Sequence, residues 1–126
     1  MRAVVCGYRD ALRAHQERLN RLNVYPVPDV DTGTNMALTL ESVVAELGSA
    51  DDMAGVCKAI SHGSLMGARG NSGVILSQIL RGLTDRVKGE EAVDGPILAE
   101  ALTAAASAAY QAVMRPVEGT ILTVVR

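Results

Sequence analysis

The sequence predicts an all-α protein, and three observations support this class. Apolar residues recur at the three- and four-residue spacing of amphipathic helices, and no segment shows strand-like alternation between hairpin turns. Tryptophan and phenylalanine are absent, so the core must be built from aliphatic side chains. Abundant alanine lets helices approach closely, because the distance between packed helices depends on the side chains at the contact.

The bulk properties exclude several classes of function. A length of 126 residues suits one domain with its own core. A formal net charge of −2 gives no basic footprint, so nucleic acid is not predicted as a partner. No apolar run is long enough to span a membrane or to form a signal-peptide core, which predicts a cytoplasmic protein. Cys6 and Cys57 lack metal-site spacing and are expected to be reduced thiols.

The first three helices follow from apolar stripes. Residues 8–22 carry one such stripe, and residues 34–47 carry a second that ends at Gly48, a natural C-terminal stop. A third helix begins near Met53, and we expect it to end near Gly63, although residues 64–66 could extend it.

The second half of the chain predicts three more helical segments. A strong apolar pattern follows Gly73, and residues 86–96 then form the most polar stretch, which predicts a surface loop. A helix over 97–114 is expected to bury one face, formed by Leu98, Leu102, Ala105, Ala109 and Val113. A last apolar segment over 121–125 indicates the start of another helix.

A proline-stiffened loop delivers two carboxylates to the start of the second helix. Pro26 and Pro28 keep the chain out of a helix, and Asp29 and Asp31 follow at once. One or two carboxylates, completed by water and phosphate oxygens, are the ligands that Mg²⁺ prefers in proteins. The alternative for the same residues is an Asx-turn with a helix cap.

A glycine-rich stretch leads into the fourth helix. Four glycines fall among the eleven residues of 63–73, directly before the apolar pattern. Such a helix N-terminus presents backbone N–H groups to a phosphate, although Asn71 or Ser72 could cap the helix instead. The stretch lacks the lysine of a P-loop and the spacing of a dinucleotide fingerprint. The acidic loop is a poor EF-hand, and no cysteine–histidine cluster predicts zinc.

Two long motifs resemble a known family. They are Asn23-Val-Tyr-Pro-Val-Pro-Asp-Val-Asp-Thr-Gly-Thr-Asn-Met36 and Gly67-Ala-Arg-Gly-Asn-Ser-Gly-Val-Ile-Leu-Ser-Gln78. Both resemble the nucleotide-binding domain of the dihydroxyacetone kinase L-subunit family. The most similar branch is the fatty acid kinase A subunit, also called Dak phosphatase-like. Residues 115–125 resemble a third family segment, near the nucleotide.

The resemblance implies a site for ATP or ADP with two Mg²⁺ ions, in the mouth of a barrel of antiparallel helices. Asp29 and Asp31 would hold the metal, and Asn23 is the nearest candidate for a third, neutral ligand. The remaining residues that would contact phosphate, metal or nucleotide are Thr32, Thr34, Asn35, Gly70, Asn71, Ser72, Gly73, Gly119 and Thr120.

The resemblance also implies a two-component kinase that uses no covalent nucleophile. The domain would supply ATP, and a partner protein would carry the phosphoryl acceptor. A fatty acid that becomes an acyl phosphate is favoured, and dihydroxyacetone is the second choice. A homodimer is compatible with the sequence. A phosphatase is the less favoured reading, because no nucleophile is evident.

The chain departs from the family pattern at two places. Val30 stands where the family usually has glycine, and a loop that curls there with positive φ would strain a β-branched residue. The family domain also continues beyond residue 126, so residues 1–126 are expected to form a single domain with about six of its eight helices. Such a fragment would expose apolar helix faces. The alternative function is therefore a non-catalytic or truncated helical interaction module.

Overall fold

The computed structural model describes residues 1–24 and 28–126, and all regular structure in these ranges is α-helical. The predicted all-α class is confirmed. The helices are α1 (Arg2–Leu22), α2 (Thr32–Leu47), α3 (Met53–Met66), α4 (Gly70–Val87), α5 (Gly95–Ala112) and α6 (Ile121–Val125).

Successive helices pack against each other, and α2 also contacts α4. Because the connections are short, neighbouring helices run antiparallel. The α1–α2, α3–α4 and α5–α6 connections therefore meet at one end of the bundle. The α2–α3 and α4–α5 connections, residues 48–52 and 88–94, lie at the other end.

One helix begins earlier than predicted, and another reaches the longer of its two expected limits. Helix α1 begins well before residue 8, and the Arg2 guanidinium ties its first turn to the α2–α3 connection by donating to the Gly48 carbonyl (2.8 Å). Helix α3 continues to Met66, so much of the glycine-rich stretch is helical and the α3–α4 connection is only residues 67–69.

The buried face of α5 also differs from the prediction. Ala101, Ala105 and Ala109 are completely buried, whereas Leu98 and Leu102 are 45% and 44% exposed. The reason is the close packing of α4, where a Cβ on Gly82 would lie 2.7 Å from the Ala104 carbonyl oxygen. The helices meet along their small residues, so the prediction that the leucines face the core was wrong.

The main core lies among the first four helices. Its largest fully buried aliphatic side chains include Leu40, Val43, Leu47, Ile60 and Leu76. Both cysteines are free thiols, as expected. In the described part of the chain, no helix is both long enough and apolar enough to cross a membrane.

Several apolar side chains are exposed on the helices. Besides the two leucines of α5, Leu65 and Met66 are exposed at the end of α3, and Val74 is exposed near the start of α4.

Candidate functional site

A cavity of about 960 Å³ opens at the end of the bundle where the α1–α2, α3–α4 and α5–α6 connections meet. This volume is within the usual range for small-molecule sites. Most of the residues selected from the sequence line it: Asn23, Asp29, Asp31, Thr32, Asn35, Gly70, Asn71, Ser72, Gly119 and Thr120. Thr34 and Gly73 lie outside the lining. The fold thus joins three segments that are far apart in the sequence.

Asp29 and Asp31 are the two acidic residues of the described cavity lining. Among residues 1–24 and 28–126, neither the Asp29 nor the Asp31 side chain has a hydrogen bond or an ion pair, although Asp31 precedes α2. The described residues contain no cluster of three or more histidine, cysteine or acidic side chains. A pair of oxygen donors beside an anion site suits Mg²⁺ better than zinc, because Mg²⁺ completes its shell with water and phosphate oxygens.

Two asparagines at the end of α1, Asn20 in its last turn and Asn23 directly after it, accept hydrogen bonds from backbone N–H groups at the start of α2. The Asn23 Oδ1 atom accepts hydrogen bonds from the N–H groups of Asp31 (3.1 Å) and Thr32 (3.3 Å). One turn earlier, Asn20 accepts from the Thr34 N–H (3.0 Å) and donates to the Thr34 hydroxyl (2.9 Å).

Through these hydrogen bonds, Asn23 and Thr34 stabilise the contact between the end of α1 and the start of α2. A carbonyl oxygen has two lone pairs, and those of Asn23 already hold the acidic loop. Thr34 faces α1 and not the cavity. Sequence analysis did not select Asn20, because nothing in the sequence distinguishes it from other polar residues near the end of a helix.

The start of α4 differs from that of α2. Its N-cap residue, Arg69, makes no side-chain capping bond within the described chain, and Gly70, Asn71 and Ser72 line the cavity. Asn71 and Ser72 lie inside the helix, so neither takes the alternative N-cap role. The first amides and the positive end of the helix dipole therefore face the space beside the carboxylates.

Gly70 and Gly73 make different contributions. Gly70 has φ of +61°, and an added Cβ would lie 2.3 Å from Asn35 Nδ2. Gly73 is buried, and a Cβ there would lie 2.5 Å from the Thr39 hydroxyl oxygen. Gly70 shapes the cavity wall, whereas Gly73 lets α4 approach α2.

The third wall of the cavity is held by Glu118. Its carboxylate accepts hydrogen bonds from Tyr110 (3.0 Å), Thr123 (2.5 Å) and Arg126 (3.0 Å). The bond from Thr123, followed by that from Tyr110, lowers the pKa of Glu118 below its ordinary value. The next two residues, Gly119 and Thr120, are thereby fixed at the cavity.

This wall is expected to loosen in acid. A carboxyl group with a lowered folded-state pKa stabilises the fold above its unfolded pKa, and the contribution is lost as pH falls through the folded value. Glu118→Gln should therefore lower the melting temperature near neutral pH, and the difference from wild type should shrink below about pH 4. The measurement is a melting curve across this pH range, with Glu17→Gln on the outer face of α1 as control. A difference in melting temperature that does not change with pH would contradict the stabilising role of the ionised Glu118 carboxylate.

Sequence analysis did not select Arg115, the one cationic side chain among the described residues of the lining. Arg115 could have been selected because it lies in residues 115–125, the third segment that resembles the family. The remaining lining is largely apolar and includes Leu19, Leu22, Val74, Ile75 and Val117. The cavity thus offers carboxylates, helix amides and a guanidinium next to an apolar wall.

Val30 has φ of +57°, so the expected positive φ between the two aspartates is confirmed. It is the only non-glycine residue with positive φ in the described chain. This conformation brings the Cβ of an L-residue close to the following carbonyl oxygen and costs about 1–2 kcal/mol. The acidic loop is therefore strained at its centre.

Val30→Gly is expected to stabilise the protein by about 1 kcal/mol, because the relieved strain exceeds the added entropy of the unfolded chain. Urea unfolding measures the change. Val24→Gly is the matched control, since Val24 is also exposed and has no positive φ. It should destabilise the protein. Equal losses from both substitutions would show that Val30 carries no strain.

Comparison with known proteins connects this geometry to a family. Residues 26–126 match the family model described as the DAK2 domain. The chain belongs to the DAK2 domain family. It is 49% identical over 117 residues to proteins of Staphylococcus aureus strains USA300, NCTC 8325 and N315, each described as uncharacterized. The match covers 91% of this chain and 21% of each relative, so the chain spans about a fifth of their length.

Family membership confirms the broader part of the expectation from the motifs. DAK2 domains are nucleotide-binding domains of dihydroxyacetone-kinase-type proteins. The choice of the fatty acid kinase branch rests on the motif resemblance.

Proposed function

We propose that this domain binds ATP or ADP with Mg²⁺ and supplies the γ-phosphoryl group to an acceptor held by a partner protein. The observation that carries the proposal is the meeting of Asp29 and Asp31 with the uncapped start of α4 in one cavity. Phosphoryl transfer depends mainly on positioning and charge neutralisation, and this arrangement provides for both.

Each wall of the cavity has a role in this proposal. Asp29 and Asp31 would hold two Mg²⁺ ions, which neutralise phosphate charge when bound. The amides of Gly70, Asn71 and Ser72 would bind phosphate oxygens, and Arg115 would add a positive charge. Thr32, Asn35, Gly119 and Thr120 complete the polar lining, while the apolar wall suits a nucleobase.

We propose a fatty acid as the acceptor, converted to an acyl phosphate, with dihydroxyacetone as the second choice. In both cases a separate protein would present the acceptor at the cavity mouth. A cytoplasmic location is part of this proposal, because ATP is the phosphoryl donor. Adding each acceptor protein in turn distinguishes the two substrates, because a fatty acid would give an acyl phosphate and dihydroxyacetone would give a phosphate ester.

A second candidate function is a helical interaction module with weak or no nucleotide binding. The strained backbone of Val30 favours it, because a distorted acidic loop would misplace the two carboxylates.

Calorimetric titration with ADP, with and without Mg²⁺, tests the proposed function. We expect binding that requires Mg²⁺ and is lost when the metal is chelated. ADP affinity that does not depend on Mg²⁺ would contradict the assignment of Asp29 and Asp31 as metal ligands. Absence of binding under both conditions would favour the interaction module.

A further inference from the structure

Thr39 is a buried polar residue of α2 outside both long motifs. Its side chain is inaccessible to solvent, and it lies one helical turn after Asn35. The hydroxyl donates to the Asn35 carbonyl oxygen (2.8 Å) and accepts from the Arg69 backbone N–H (3.2 Å). One hydroxyl therefore joins α2 to the residue that directly precedes α4.

The contact between α2 and α4 around this hydroxyl is too close to accept an added side-chain carbon. A Cβ on Gly73 would lie 2.5 Å from Thr39 Oγ1, and a Cβ on Gly70 would lie 2.3 Å from Asn35 Nδ2. Helices α2 and α4 thus touch within about two turns of the start of α2, next to the carboxylates, and within one turn of the open amides of α4. A change at this contact alters the distance between the two groups.

We propose that Thr39 is a positioning residue that sets the start of α4 relative to the acidic loop, so that metal and phosphate are held together. The inference rests on the proposed function, and Thr39 itself touches neither ligand. Because buried polar groups are costly to leave unpaired, loss of the hydroxyl would displace the Arg69 amide or leave it without its acceptor. The binding groups would then lose their fixed separation.

The test compares three variants of the full chain. Thr39→Val removes the hydroxyl at nearly constant volume, and Thr39→Ser keeps it. Thr84→Val is the matched control, because Thr84 is also buried but its hydroxyl bonds only to Leu80 and Arg81 of its own helix. For each variant, ADP affinity is measured with and without Mg²⁺, together with the melting temperature.

The informative quantity is the factor by which Mg²⁺ raises ADP affinity. We expect Thr39→Val to reduce this factor about tenfold, Thr39→Ser to restore most of it, and Thr84→Val to leave it unchanged. A purely structural role would lower the melting temperature and leave the factor intact. An unchanged factor in Thr39→Val, or an equal reduction in Thr84→Val, would overturn the proposal.

Amide hydrogen exchange separates failure of this inference from failure of the proposed function. In the nucleotide-free protein, Thr39→Val should speed exchange of the Arg69 amide about tenfold, because this amide loses its acceptor, while Thr84→Val should not. If wild type binds no ADP, the proposed function fails, and exchange alone decides whether Thr39 fixes the start of α4. Unchanged exchange at Arg69 would overturn that role.

Discussion

Asp31→Ala is expected to weaken Mg²⁺-dependent ADP binding about 100-fold or more while leaving the fold nearly as stable as wild type. The Asp31 carboxylate makes no capping hydrogen bond, so its removal costs only a helix-dipole interaction of about 0.5 kcal/mol. Its proposed role in metal binding has no substitute, because Asp29 is the only other carboxylate in the described cavity lining. Asp29→Ala should have the same effect on binding.

The control for this prediction is Asp94, the N-cap residue of α5. Its side chain accepts a hydrogen bond from the Ile97 N–H (3.0 Å) at the opposite end of the bundle. Asp94→Ala should cost about 1 kcal/mol of stability without changing ADP affinity. Calorimetry and urea unfolding on both variants measure the two effects. Wild-type affinity in Asp31→Ala would remove the basis for the metal site.

Gly70→Ala is expected to destabilise the protein by about 2–4 kcal/mol and to weaken nucleotide binding. Alanine is strained at φ of +61°, and its Cβ would collide with the Asn35 side chain. Relief of the collision must move Asn35 or the first turn of α4, and both face the cavity. Urea unfolding and ADP titration measure the two losses.

Gly7→Ala provides the contrast in the same assays. A Cβ on Gly7 meets nothing within 4 Å, and the residue lies inside α1. Alanine there should stabilise the protein by about 0.5–1 kcal/mol, because glycine is the poorer helix former. A similar response from Gly70→Ala would mean that the start of α4 tolerates a side chain.

The sequence predicted much of the fold because most of the helices carry clear apolar stripes. It placed Leu98 and Leu102 on the buried face of α5 together with Ala105 and Ala109, of which only the alanines are buried. Burial there is decided by how closely Gly82 lets α4 approach, and that contact joins two separate helices. Local periodicity contains no information about such a contact.

Most of the site residues selected from the sequence line the cavity. Asp29, Asp31 and the residues from Gly70 to Ser72 were selected because loop composition and helix starts are local signals. The supporting residues Asn20 and Thr39 were missed, because their hydrogen-bond partners lie 14 and 30 residues away in the chain. The strain at Val30 was anticipated from the resemblance, since family members usually carry glycine at that position.

Successive connections alternate between the two ends of the bundle, so the end with the cavity and the opposite end can change independently. Residues 88–94 belong to the opposite end, and a Cβ on Gly89 would have open space around it. A fluorescent protein or an affinity peptide inserted there would be held more than two turns of α4 and α5 away from the cavity. The loop can be lengthened or shortened for the same reason, so the surface at this end can change without disturbing the cavity.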